Sequence, residues 1–288
     1  MAATSRPGPS ATDWRRERGL FDRIGHPVRR VAEEGMLVVI GIVVLVWTLL
    51  PLYHMAIVSI TPLADAFGGR FWPENPTLEN YRTVLFQEHY FLRAFWRQLG
   101  NSLFVAGMTM LIVLVVASLA SFAISRLKAR FGHFVSNTAL LTYLIPMAFL
   151  AIPFYRVMAD YGILNNLWSL VFVMSTFATP YAIWVFRQYS DSIPYELDEA
   201  ARVDGATPLQ LYWLVYLPLM RPAMIAIGTY ALLLAWNEYL YAFLLLHNEL
   251  RTTIPVAMGF FLNTDDAPWA LLMATAIIYS LPPAALYY

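Results

Sequence analysis

The sequence predicts an all-helical protein embedded in a membrane, and three observations carry that prediction. Of its 288 residues, 59% are hydrophobic and 13% are charged, and its mean hydropathy is +0.55; a soluble domain carries roughly a quarter charged residues to keep its surface wetted. Six long windows are almost free of Asp, Glu, Lys and Arg, each close to or above the roughly 20 apolar residues that a helix needs to cross a hydrocarbon core. Positive charge is concentrated in alternate connecting segments, as happens when short basic loops stay on the cytoplasmic side.

The windows cover residues 36–60, 98–125, 132–155, 161–186, 222–248 and 267–288. Each is read as one transmembrane helix, the fifth extended back to residue 218, and a cytoplasmic tail of residues 1–35 precedes them. The first window is too long and too far from the N-terminus for a signal peptide, so it is expected to stay in the mature protein. Seven arginines (6, 15, 16, 18, 23, 29 and 30) lie before it; Arg126, Lys128 and Arg130 follow the second window, and Arg187, Arg202 and Arg221 fall in or beside the segment after the fourth. These outnumber the six in the opposite loops, which places the N-terminus and the loop at 189–217 in the cytoplasm. Within the tail, Leu20, Phe21, Ile24, Val28 and Val31 recur at spacings of mostly three or four between arginines, which fits either an amphipathic interfacial helix or a disordered basic tail. The outer loop at 61–96 is rich in proline and aromatics, suited to the headgroup level or to an outside partner.

Several chemistries are excluded or weakened. Equal numbers of basic and acidic residues, 19 of each, leave no cationic surplus for nucleic acid. The chain has no cysteine, hence no disulfide and no thiolate nucleophile or ligand. The five histidines (26, 54, 89, 133 and 247) show no metal-ligand spacing, and no nucleophile-elbow motif occurs. A phosphate-binding P-loop needs a Gly-Lys-Ser/Thr ending, and the single lysine, Lys128, lies in RLKAR. ATP is therefore not expected on this chain.

The cytoplasmic loop is the most informative stretch. It reads YSDSIPYELDEAARVDGATPLQLYWLVYL over 189–217. Pro194 suits a first helical turn, Gly205 a helix end, and Thr207 with Pro208 the cap and first residue of a second helix. Glu196, Asp198 and Glu199 fall where the macrodipole favours negative charge, and Ala200 and Ala201 leave a thin face for close approach by a partner.

Glu199, Ala200 and Ala201, Gly205 after three further residues, Val215 after nine more, then Leu217 and Pro218, resemble the EAA loop of binding-protein-dependent ABC importer permeases, with Val215 standing for Ile. TLENY at 77–81, NSL at 101–103, Pro146, IPFY at 152–155, YGILNN at 161–166, Pro194, DGA at 204–206 and WNEY at 236–239 are similar to the maltose-type (MalG-like) sugar branch. The resemblance covers the chain from about Met36. It implies a type I ABC importer permease fold and a role as the non-enzymatic permease subunit of a sugar importer in a prokaryotic cytoplasmic (inner) membrane. It also implies a second related permease, two ATP-binding subunits carrying ATP and magnesium, and an extracytoplasmic sugar-binding protein. Glu199, Ala200, Ala201, Asp204 and Gly205 would then form the element that docks on the ATPase. A polyol or glycerol-phosphate solute, and from a different class a self-contained secondary transporter, are the competing readings.

Glu238 is the one carboxylate inside a window, flanked by Trp236, Asn237 and Tyr239. An intramembrane acid is a functional candidate by default. Counted along a continuous helix from Pro218 it lies roughly 30 Å away, near the outer mouth, where it lines a solute path, bonds between helices, or sits at a solvated interface. The aromatics beside it suit sugar stacking or an aromatic belt equally. Pro146, Pro153 and Pro180 permit bends that shape a cavity or are merely tolerated. The chain ends in ALYY without a basic cap, whereas the resemblance implies a basic, glycine-containing tail, so a C-terminal truncation is expected.

Overall fold

The computed structural model describes residues 13–66, 68, 71–263 and 267–286, with side chains from Glu33 onward. Among them every regular element is helical. The chain divides into two units, Met1–Ile57 and Val58–Tyr288.

The first unit consists, in its described part, of helix α1 (Asp13–Ser59), which runs two residues into the second. Its stretch Glu33–Ser59 is long and apolar enough to cross a membrane. The backbone of the basic tail is helical from Asp13; its side chains, and with them the expected amphipathic pattern, lie outside the described residues, as do residues 1–12 and the last two tyrosines.

The second unit is built on three packed helices, α3 (Phe95–Ser125), α6 (Leu167–Asp191) and α10 (Arg221–Trp236). Small residues at their contacts let the backbones approach: Ala106 and Ala117 on α3, Ala178 and Ala182 on α6, and Ala231 and Ala235 on α10 are all buried. Helices α3 and α6 run parallel, since Phe104 meets Trp168 near their starts and Arg126 meets Ser190 at their ends. Helix α2 (Glu79–Phe86) packs on α13 (Trp269–Leu286), and α12 (Ile254–Phe261) lies against α3 and α13.

Two segments bend sharply. Helix α4 (Gly132–Leu140) and the turn after it meet α5 (Ala151–Asp160) and its preceding turn at 95°. The hinge is Ile145 and Pro146: the proline ring drives the residue before it out of the helical region, and Ile145 has φ −88° and ψ 117°. Pro153 falls in the first turn of α5, where its missing N–H costs nothing, and Pro180 is absorbed within an unbroken α6. The second bend, 77°, separates Pro208–Leu219 from α10. Short helices α8 (Pro208–Gln210) and α9 (Leu217–Leu219) flank a wide π turn, Leu211–Tyr216. Pro218 lacks an N–H for the Leu214 carbonyl and its ring presses on that turn, which accounts for the widening.

The expected continuous helix over 218–248 does not form. Helix α10 ends at Trp236 and α11 (Leu240–Leu245) restarts three residues later, so a distance counted along one helix from Pro218 does not locate Glu238. Likewise α6 begins at Leu167, because Tyr161, Gly162 and the two asparagines form the turn before it. Among the described residues four helices are long and apolar enough to cross a membrane, or up to six if each bent pair counts as one span.

Candidate functional site

The helix–turn–helix within residues 189–217 is formed as its local chemistry dictates. Helix α7 (Glu196–Val203) carries Glu196, Asp198 and Glu199 in its first turn; Pro194 lies just before it rather than inside it. Its end is a Schellman motif. The Gly205 N–H donates to the Arg202 carbonyl and the Ala206 N–H to the Ala201 carbonyl, both at 3.0 Å. Gly205 has φ +82°, a left-handed conformation that a Cβ disfavours. Thr207 then caps α8 with a reciprocal box: its hydroxyl accepts from the Gln210 N–H, and the Gln210 side chain accepts from the Thr207 N–H at 2.8 Å.

Helix α7 is held by a buried ion pair that the sequence did not announce. Arg126, at the end of α3, is 4% exposed, and its Nη1 lies 3.3 Å from Oδ2 of Asp198, itself 2% exposed. The same guanidinium donates to the Ser190 carbonyl at 2.7 Å, the Ser190 hydroxyl at 3.2 Å and the Ile193 carbonyl at 3.1 Å. Three segments, α3, the end of α6 and α7, thus converge on one arginine, whose rigid fork suits several acceptors at once. Arg202 returns a bond to the Arg126 carbonyl, and Lys128 and Arg202 flank the Tyr195 ring at 4.6 and 5.6 Å. Below, Tyr212 and Tyr216 bond Ser118 and Ser121 of α3 at 2.8 and 3.0 Å, tying the second helix to the same bundle end.

With one face of α7 fastened, the opposite face is open. Glu199, Ala200, Asp204 and Gly205 are exposed and Ala201 half-buried. Large apolar side chains are exposed beside them: Leu197 and, more fully, Val203 at 87% and Leu209 at 65%. These apolar side chains stand on the same two short helices as the exposed Glu196, Glu199 and, at the end of α7, Asp204.

The four residues around Glu238 are not gathered into one site. Trp236 is buried and stacked on Tyr279, ring centroids 4.4 Å apart, with the Tyr279 hydroxyl donating to the Trp236 carbonyl. Asn237 is exposed and bonds back to the Leu233 carbonyl. Glu238 accepts from the Tyr241 N–H at 2.7 Å, capping the start of α11, and Tyr239 stacks on Phe243. Other motif residues prove to be connectors. Asn101 donates to the Leu250 and Thr252 carbonyls, Asn80 to those of Ser59 and Thr61, and Asn165 accepts from the N–H groups of His247 and Asn248.

A bundle interrupted at two bends, with a capped helix presented at one end, is the arrangement of a type I importer permease. The chain is similar in fold to one in the crystal structure of a bacterial ABC transporter involved in the import of the acidic polysaccharide alginate, with TM-score 0.73 and 24% identity over 98% of this chain and 97% of that one. Residues 114–287 match the family of binding-protein-dependent transport system inner membrane components, and the chain belongs to that family. It is 29% identical over 246 residues to the trehalose transport system permease protein SugB of Mycobacterium tuberculosis, covering 85% of this chain and 88% of the relative. It is 27% identical over 253 residues to the trehalose/maltose transport system permease protein MalG of Thermococcus litoralis, covering 88% and 90%. To the inner membrane ABC transporter permease protein YcjP of Escherichia coli K12 it is 28% identical, covering 84% and 86%.

Proposed function

We propose that this chain is the permease subunit of an ATP-driven sugar importer in a prokaryotic cytoplasmic membrane, and that α7 through α8 is its coupling element. It crosses the membrane six times, α1 first from a cytoplasmic N-terminus, with each bent pair serving as one span. It works beside a second related permease, two ATP-binding subunits and an extracytoplasmic binding protein. ATP and magnesium act on the ATP-binding subunits, and closure of those subunits pushes on α7.

The carrying observation is the combination of a buried anchor on α7 and exposed apolar side chains on α7 and α8. Arg126 fastens α7, through Asp198, to α3 and the end of α6, a path by which force applied at Ala200, Val203 and Gly205 would reach the bundle. The sugar assignment is supported by the relatives named for trehalose and maltose transport. Purification of the tagged chain from its host membrane, followed by uptake assays with labelled trehalose and maltose, tests the reading. Co-purification of an ATP-binding subunit and a second permease with ATP-dependent uptake is expected; recovery of the chain alone, with uptake driven by a proton or sodium gradient, would overturn it.

A further inference from the structure

We infer that a cavity at the bundle end opposite α7 is a sugar subsite of this chain, taking one or two pyranose units. This rests on the importer reading above and adds to it a place where the chain itself touches the solute. The cavity has a volume of about 650 Å³, within the range of small-molecule sites.

Its walls alternate in character. Tyr90, Tyr155, Phe243 and Phe260 supply exposed aromatic rings from four different segments. Gln98, His247 and Glu249 supply polar groups between them. A pyranose presents flat C–H faces and a rim of hydroxyls, and so requires both kinds of wall at once. An acyl chain would use the rings alone.

Gln98 is the deepest polar group. It is 2% exposed, and its amide nitrogen reaches the Glu249 carbonyl at 3.3 Å and the Thr252 hydroxyl at 3.4 Å, both at the long limit of a hydrogen bond. Its amide oxygen accepts from no donor among the described residues and keeps some accessible surface. A sugar hydroxyl would satisfy it. Two of the rings also lie on segments that follow breaks, Tyr155 on α5 beyond the Pro146 hinge and Phe243 on α11 beyond the gap at 237–239. A change at either break therefore moves a wall of the cavity.

The test uses the complete importer with its binding protein in proteoliposomes and labelled maltose, trehalose and diacetylchitobiose as probes. Wild type that imports none of them, or any other sugar offered, sinks the importer reading itself. With wild-type uptake established, Tyr155→Ala and Phe260→Ala, both at partly exposed positions, should lower uptake at subsaturating sugar at least tenfold through KM, with unchanged basal ATPase and unchanged docking of the binding protein. Gln98→Met, which preserves volume, should do the same. Unchanged uptake in all three variants overturns the subsite. Loss of docking in step with uptake also overturns it, because the cavity would then seat the binding protein and not the sugar.

Discussion

Replacing Arg126 by methionine removes a guanidinium on which α3, the end of α6 and α7 converge. The substitution leaves the Asp198 carboxylate buried without its cation and strips hydrogen bonds from the Ser190 and Ile193 carbonyls. Breaking a buried pair on one side costs about 3–5 kcal/mol. At 1.4 kcal/mol per tenfold change, that shifts the balance between fastened and released α7 by roughly two to three and a half orders of magnitude. Converting both partners, Arg126→Met with Asp198→Leu, removes the uncompensated charge and should recover most of the loss, since apolar replacement of a whole buried pair is often neutral. Amide hydrogen exchange at residues 200–203 in the assembled complex reports the release, and the ratio of sugar imported to ATP hydrolysed reports its consequence. The single variant should exchange faster and transport less per ATP, with the double variant intermediate or near wild type. Wild-type exchange and coupling in Arg126→Met, or a double variant worse than both singles together, would show that the pair does not hold α7.

At Gly205 an added Cβ would meet nothing within 4 Å, so Gly205→Ala should cost only the left-handed conformational penalty, about 1–2 kcal/mol, with Gly205→Asn milder; retention of the ATP-binding subunit on purification checks the order. Glu238→Gln keeps the oxygen that caps α11 and should leave thermal stability unchanged, whereas Glu238→Ala should lose about 0.5–2 kcal/mol; equal melting of the two variants would remove the cap from the account. His89 stacks on Phe261, and its Nδ1 accepts from the Phe91 N–H, while burial lowers its pKa. The folded state thus prefers the neutral ring. Its contribution is complete above the imidazole's ordinary range and is lost as pH falls through that range towards the lower folded value, so the loss of Tm on acidification should be smaller in His89→Gln than in wild type.

What could be read from the sequence was local. The Gly205 stop and the Thr207–Pro208 start depend on backbone conformations that those residue types impose by themselves, and both formed. The bend at Pro146 followed from the steric effect of a proline on its predecessor. Contacts between distant residues were not legible: Arg126 and Asp198 are 72 positions apart, and Asp198 looked like an ordinary first-turn acid. Hydropathy also hid the break after Trp236, because Asn237 and Glu238 sit in an otherwise apolar window while their side chains serve backbone groups. For the same reason Trp236, which suited a sugar path by type, is covered by Tyr279 instead.

The claim that α7 and α8 present a docking surface is tested most directly by crosslinking, which the absence of cysteine from this chain makes clean. Val203→Cys, at a position 87% exposed, and Phe134→Cys, 71% exposed on α4, are compared in native membranes after labelling with a maleimide–benzophenone, whose photoexcited ketone inserts into C–H bonds of any neighbouring chain, with mass spectrometry of the products. On that claim Val203→Cys gives an adduct with an ATP-binding subunit whose yield changes with ATP, and Phe134→Cys gives none. No adduct from Val203, or the same partner captured equally from Phe134, would contradict it.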